Sequence, residues 1–236
     1  KADSITKSAY CQSRMKLKHT GFIELNDVIL KSFYTRCSFK KWNNFIVLGV
    51  DGSKLNLPYS EELLKDYGIK LTKDKIMPQA IISSCYDLLN EIIIDSRIDK
   101  VDTAERPLAL KHIENLHKIN HKVLMIFDRG YQGLWFMFYL LIKKVDFVMR
   151  LKNDFPEVES FLKSDDISII INDKECSEKS INQLKKLGLI FHSIKIRLVK
   201  VILDDGTIEV LATSLLDKKK YPSTILCINK KIINFI

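Results

Sequence analysis

The chain has 236 residues, 46% hydrophobic and 28% charged, enough apolar content to bury one large core or two small ones, which excludes a disordered chain. Lysine and arginine number 38 against 29 acidic residues, and the net charge of +9 suits a polyanionic partner without dictating a fold. Five scattered cysteines with no CxxC pair exclude a disulfide framework and a zinc site and point to a reducing, cytoplasmic setting.

The longest apolar run, Leu134 to Ile142, is about half of the ~20 residues needed to span a bilayer, so no membrane partner is expected. The chain opens on Lys1 rather than methionine, which points to a processed, trimmed or incompletely read N-terminus.

Residues 3–40 carry Ile5, Ala9, Leu17, Phe22, Leu25, Ile29 and Phe33 at mostly three- to four-residue spacing, which predicts a helical lead-in over residues 1–40. Phe45 to Val50 has the length of a buried strand and stops at Asp51-Gly52. Two further strands are expected at Gln79–Leu88 and Glu91–Ile98, turning at Asn90. Glu105-Arg-Pro107 starts a helix, because proline is tolerated in the first turn, and that helix ends near Asn120. Lys122–Phe127 is a short strand broken at Asp128-Arg-Gly130. An aromatic-rich helix, Tyr131–Lys144, and a strand, Phe147–Leu151, follow.

That order, three strands, helix, strand, helix, strand, is the skeleton of an α/β, RNase H-like mixed sheet flanked by helices, here spanning residues 41–152. Residues 153–217 read as a β-rich insertion and return strand. It holds a helix at Glu157–Lys163, a strand at Ile167–Ile171, a helix around Ser180–Leu187, and strands Ile194–Leu203 and Ile208–Leu216 joined by a turn at Asp204-Asp205-Gly206.

Asp51 and Asp128 each end a buried strand, and in such a sheet those two strands are neighbours, so the carboxylates converge. Hard divalent cations want oxygen ligands, and a two-metal site holds its ions roughly 3.5–4 Å apart, a spacing that two carboxylates on adjacent strands suit. Taken singly, Asp-Gly is also an ordinary hairpin turn and Asp-Arg-Gly an ordinary strand-to-helix connection. His112, His117 and His121 lie on or just past a helix, without the glutamate that a zinc helix requires. They read as solvated or half-buried side chains. Trp135, Phe136, Phe138 and Tyr139 read as core rather than as stacking platforms for bases.

Several phrases fall in one order along nearly the whole chain. They are Ser8-Ala-Tyr-Cys-Gln-Ser-Arg-Met-Lys-Leu17, Gly49-Val-Asp-Gly-Ser53 with Leu57-Pro58, Asn90-Glu-Ile-Ile-Ile-Asp95, and Glu105-Arg106 followed by Ala109. Then come Phe127-Asp-Arg-Gly-Tyr131, Phe147-Val-Met-Arg-Leu-Lys152, Arg197-Leu-Val-Lys200 and Leu211-Ala-Thr-Ser214. In these the sequence resembles the DDE transposases of bacterial insertion sequences. The resemblance implies Asp51 and Asp128 as catalytic, metal-binding aspartates for Mg²⁺ or Mn²⁺ in a two-metal site. It also implies a DNA-contacting or active-site role for Arg129, Tyr131 and Arg150, with Lys152 as a further DNA contact. The implied partners are transposon-end and target DNA, with a homodimer or association with an intact transposase.

The resemblance further implies a third acid, a glutamate on a helix after the strand that ends near Leu216. From Lys218 to Ile236 there is no Asp or Glu, so residues 218–236 read as an aberrant tail left by truncation or frameshift shortly after Pro222. In a family variant the third acid would instead be Glu157, Glu159, Glu175 or Glu178. The expectation is an inactive transposase fragment. The alternative is a non-catalytic DNA-binding or dimerising fragment that interferes with an intact transposase.

Overall fold

The computed structural model describes residues 5–71, 76–152, 164–203 and 205–228. The chain divides into two compact units, Lys1–Phe39 with Leu116–Asn120, and Lys40–Asn115 with His121–Ile236.

In the first unit the lead-in is two helices rather than one: α1, Lys7–Met15, and α2, His19–Arg36. Thr6 caps α1, its hydroxyl accepting from the backbone N–H of Ala9 at 3.2 Å. Leu30 and Tyr34 are the buried residues of α2, and Phe33, Tyr34 and Phe39 form a ring cluster with centroids 5.1 to 5.9 Å apart. The stripe read from the sequence is largely outward-facing, for Ile5, Leu17, Phe22, Leu25 and Ile29 are all exposed. Lys118 Nζ reaches Asp27 at 2.7 Å.

The second unit is built on a mixed sheet. Its strands are β1, Ile46–Asn56; β2, Ile69–Leu71; β3, Ile76–Asp87; β4, Ile92–Lys100; β5, Val123–Phe127; β6, Asp146–Leu151; β7, Asp166–Asn172; β8, Ser193–Ile202; and β9, Ile208–Thr213. β4 and β2 pair with β3, and from there the order is β3-β1-β5-β6-β9-β8-β7. β1, β3 and β4 are antiparallel neighbours, whereas β1, β5 and β6 are parallel, which is the RNase H-like arrangement. β7, β8 and β9 add to the same sheet, because β9 pairs antiparallel with β6. The remaining helices are α3, Glu61–Tyr67; α4, Glu105–Asn115; α5, Leu134–Ile142; α6, Glu178–Lys186; and α7, Ser223–Ile228.

Ile46 to Val50 are all buried, as a central strand covered on both faces must be. α5 is apolar all round because it too is enclosed, packing on β6 and α6, and Trp135, Phe136, Phe138 and Tyr139 are buried in it. α4 lies on β1, β3 and β4. One sheet face carries Val47 on β1, Leu124 and Ile126 on β5, and Val148 on β6. That alternation gathers them in a cluster with Phe45, Val199, Leu211, Tyr221 and Leu226.

Two expectations change here. β1 does not stop at Asp51-Gly52 but runs on to Asn56, because β3 stays paired with it as far as Asn56↔Gln79. Tyr221 and Leu226, within the segment read as an aberrant tail, are core residues, and Tyr221 stacks on Trp42 at 6.2 Å. The fully buried Arg197 holds this return segment, donating from one nitrogen to the carbonyls of Leu215 (3.1 Å) and Tyr221 (2.6 Å). Its other nitrogens form a two-pronged pair with Asp166 at 2.8 and 2.7 Å. The helix expected at Glu157–Lys163 and residues 229–236 of the tail lie outside the described residues.

Candidate active site

The site starts from the register of two parallel strands. Gly49 on β1 lies opposite Ile126 on β5, and two residues further along each chain come Asp51 and Asp128. The two aspartates therefore each lie two residues past the last paired position of adjacent strands, Asp51 within β1 and Asp128 just beyond β5. Asp51 Oδ1 accepts from the backbone N–H of Gly52 at 2.8 Å. Asp128 caps a 3-10 turn at Arg129–Tyr131, its Oδ1 accepting from the N–H of Gly130 at 2.8 Å.

Glu105, the first residue of α4, brings a third carboxylate to the same place. A Cβ added at Gly52 would stand 2.9 Å from Glu105 Oε1, and one added at Gly130 would stand 3.0 Å from Glu105 Oε2 and 3.1 Å from Asp128 Oδ1. One carboxylate thus spans the space between the backbone after Asp51 and the backbone after Asp128. Burial first, then the charges of Asp128 and Asp51, push the Glu105 carboxyl above the usual carboxylate range. Sequence reasoning saw Glu105 only as a helix start and part of a family phrase. The signal lay in the two glycines, which read as turn formers, yet neither has the positive φ that such a turn requires. They leave room for the glutamate.

Tyr131 corrects another expectation. It is wholly buried, its ring 5.2 Å from Phe127 and 6.2 Å from Phe136, so it offers no surface to DNA. Its hydroxyl has no hydrogen-bond partner among the described residues. Burial, followed by the charges of Glu105, Asp128 and Asp51, pushes the phenol well above its ordinary range. Ser83 tempers that shift, but its hydroxyl is engaged with His112 Nε2 at 3.0 Å. His112 is fully buried rather than solvated, and its Nδ1 meets Asp95 Oδ2 at 2.6 Å. Burial pushes the Asp95 carboxyl up, but hydrogen bonds from His112 and Arg97 outweigh it and hold the group below the usual range.

Arg129 and Arg150 are both paired with Glu209 of β9, a buried carboxylate that the sequence did not single out. Arg150 donates from Nε to Glu209 Oε2 at 2.6 Å. Burial raises the Glu209 carboxyl, and the two guanidinium groups more than reverse it, holding it low. Two cations share one anion, which leaves a net positive charge. The Arg129 side chain is 42% exposed and that of Arg150 22%, so both still reach solvent. Lys152 follows β6 at an exposed position, its backbone N–H donating to Gln132 Oε1 at 2.6 Å.

Of the other acids weighed for a third position, Glu157 and Glu159 lie outside the described residues. Glu175 closes a capping box with Asn172 at the end of β7. In sheet order that strand is four places from β5, about 19 Å at ~4.8 Å per strand. Glu178 opens α6.

As the side chains stand, no three acidic, histidine or cysteine groups among the described residues converge on one ion position. Asp51 and Asp128 each have one oxygen accepting from a backbone N–H. The donor set still suits a hard divalent cation. It consists of carboxylate oxygens from β1, the turn after β5 and the start of α4, around two glycines at which an added Cβ would crowd Glu105.

The molecule is a mixed α/β protein of RNase H-like topology, with carboxylates gathered where the parallel pairing of β1 and β5 ends. No protein-family model and no curated protein sequence matches the chain. Among solved structures it is similar to a piggyBac transposase, seen in a cryo-EM structure of its synaptic complex with hairpin DNA. The TM-score is 0.41 and the identity 12%, over 89% of this chain and 40% of that one. It is also similar to endonuclease V of Ciona intestinalis, in a crystal structure with an inosine-containing DNA. There the TM-score is 0.33 and the identity 10%, over 83% of each chain. Both likenesses are distant, and the chain spans less than half the length of the piggyBac transposase chain.

Proposed function

We propose that this chain is a DDE-type, insertion-sequence transposase-like protein that acts on DNA phosphodiesters with Mg²⁺ or Mn²⁺. Asp51 and Asp128 hold the metal, and DNA is the partner. The reading is carried by one observation: two adjacent parallel strands bring the aspartates to equivalent positions, Asp51 in β1 and Asp128 immediately after β5. The ordered family phrases and the net charge of +9 also support it.

A divalent ion bound there supplies Lewis-acid stabilisation of a phosphoryl oxygen and activation of the attacking oxygen. The chain's own residues do the positioning. Arg150 and Arg129, held by Glu209 yet open to solvent, present donors to a phosphate. Lys152 adds a point charge without sequence preference. Their value lies in being oriented before the substrate arrives.

The expectation of inactivity rested on counting two aspartates and finding no Asp or Glu from Lys218 onward. The test is strand nicking and strand transfer on a labelled duplex with Mg²⁺ or Mn²⁺, comparing the chain with Asp51→Asn and Asp128→Asn. Activity lost in both variants supports the reading. DNA binding without metal-dependent cleavage would favour the interfering-fragment alternative, and cleavage that survives both substitutions would refute the site.

A further inference from the structure

We propose that the chain has a second, metal-independent binding site, a cavity that takes one nucleotide of a single DNA strand with its phosphate held by Arg106 and Lys179. The assignment to DNA rests on the functional reading above.

The cavity has a volume of about 340 Å³. That is the lower end of the roughly 300–1,000 Å³ of small-molecule pockets, which matches a single nucleotide rather than a stacked base pair. Three helices begin around it. Arg106 stands in the first turn of α4, Gly133 and Trp135 at the start of α5, and Lys179 in the first turn of α6. Backbone N–H groups at helix starts carry partial positive charge and favour anions. Both charged side chains of the lining are cations. Glu105 and Glu178 open two of the helices, but no Asp or Glu lines the cavity among the described residues. Successive helical residues point about 100° apart, so Glu105 faces the aspartates while Arg106, the next residue, faces the cavity.

Arg106 is held in a fixed direction. Its guanidinium lies over the Trp135 ring at 5.7 Å, and its Nη1 donates to the carbonyl of Gln132 at 3.1 Å. Gly133 leaves room for it, since a Cβ there would stand 2.9 Å from Nη1. Arg129 and Arg150 share Glu209, whereas neither Arg106 nor Lys179 has a carboxylate partner among the described residues. An oriented guanidinium without a carboxylate matches a phosphate, whose oxygens accept parallel hydrogen bonds from it. Lys179 is exposed and adds a point charge. Gln183, one turn further along α6, brings to the same cavity an amide that pairs with the edge of a base. A structural role explains the stacking of Arg106 on Trp135, but not a second unpaired cation on another helix of the same cavity.

The test is binding of a fluorescent oligothymidylate by the full 236-residue chain in EDTA, which removes divalent metal from the comparison. The single strand is expected to bind more tightly than a blunt duplex of the same length. Thymidine monophosphate is expected to displace it, and thymidine or inorganic phosphate to do so poorly. Arg106→Gln is expected to weaken strand binding about tenfold or more, as the loss of a charge-assisted hydrogen bond does, and Lys179→Gln by a smaller factor. Lys185→Gln makes the same charge change at an exposed position of α6 outside the cavity and is expected to have little effect. If Arg106→Gln and Lys179→Gln lose no more than Lys185→Gln, the proposal is overturned. Equal displacement by inorganic phosphate overturns the nucleotide assignment. Arg106-dependent binding of the monophosphate, with strand binding indifferent to Arg106, overturns DNA as its source. Should Arg106→Gln not fold, Lys179→Gln on the helix surface carries the test. Metal-dependent nicking without Arg106-dependent binding sinks this proposal alone, and Arg106-dependent strand binding without nicking sinks the catalytic reading alone.

Discussion

Gly52 and Glu105 lie 53 positions apart in sequence, yet a single added carbon on the one would stand 2.9 Å from a carboxylate oxygen of the other. Gly52 sits in mid-strand without a positive φ, so alanine is allowed there by the backbone and disfavoured only by the glutamate. Gly52→Ala should therefore act through Glu105. Overpacking of this kind costs about 1–3 kcal/mol. Urea denaturation should show that loss in Gly52→Ala, and shortening the glutamate as well, in Gly52→Ala/Glu105→Ala, should recover most of it; no recovery would mean that the strain falls on the backbone instead.

Glu209 should restrain the arginines as well as orient them. Glu209→Gln removes the anion that Arg129 and Arg150 share and leaves one more net positive charge facing solvent. Duplex affinity should rise at low salt, with the salt dependence steepened by roughly one counterion. Metal-dependent cleavage should fall, because the guanidinium groups lose their fixed direction. Affinity and salt slope measured by fluorescence anisotropy at two salt concentrations check the first half; unchanged values would show that the pair does not face DNA.

The Arg197–Asp166 pair should make stability depend on pH. The hydrogen bonds from Arg197, against the opposing effect of burial, hold the Asp166 carboxyl below the usual range. A carboxylate lowered on folding stabilises the protein above its unfolded value, about pH 4, and that contribution is lost as pH falls through the folded value. Asp166→Asn should be less stable than wild type at pH 7 by about 3–5 kcal/mol, because it leaves a buried guanidinium unpaired. The difference should shrink below about pH 4. Parallel denaturation curves at pH 7 and pH 3 that show the same gap would contradict this.

Tyr131→Phe tests the orphaned hydroxyl without disturbing the ring packing on Phe127 and Phe136. Removing an unsatisfied buried donor relieves a cost of about 1–3 kcal/mol, so the metal-free protein should be as stable as wild type or more so. A variant destabilised without metal would show that the hydroxyl has a partner after all.

The sequence by itself determined the order of the main strands and helices from β1 to β6 and placed Asp51 and Asp128 just past two buried apolar runs. Both are short-range properties, since a continuous apolar run of five or six residues and a helical stripe are written in consecutive positions. The run Ile46–Val50 and the run Val123–Phe127 appear in the structure as neighbouring strands, with Asp51 and Asp128 just beyond. Where a strand ends depends on its partner. Asp51-Gly52 looks like a stop, but β3 continues alongside, and β1 continues with it.

Only the tertiary structure decided which side chains meet. Glu105 is remote from both aspartates in the chain, and the inward face of α4 brings it to them. Glu209 reaches Arg129 and Arg150 because β9 returns beside β6. Tyr131, expected to start an aromatic-rich helix, is enclosed by Phe127 and Phe136. Electrostatic and steric contacts act over a few ångströms of space, whatever the number of residues between the partners, and so they carry no local pattern for a single sequence to display.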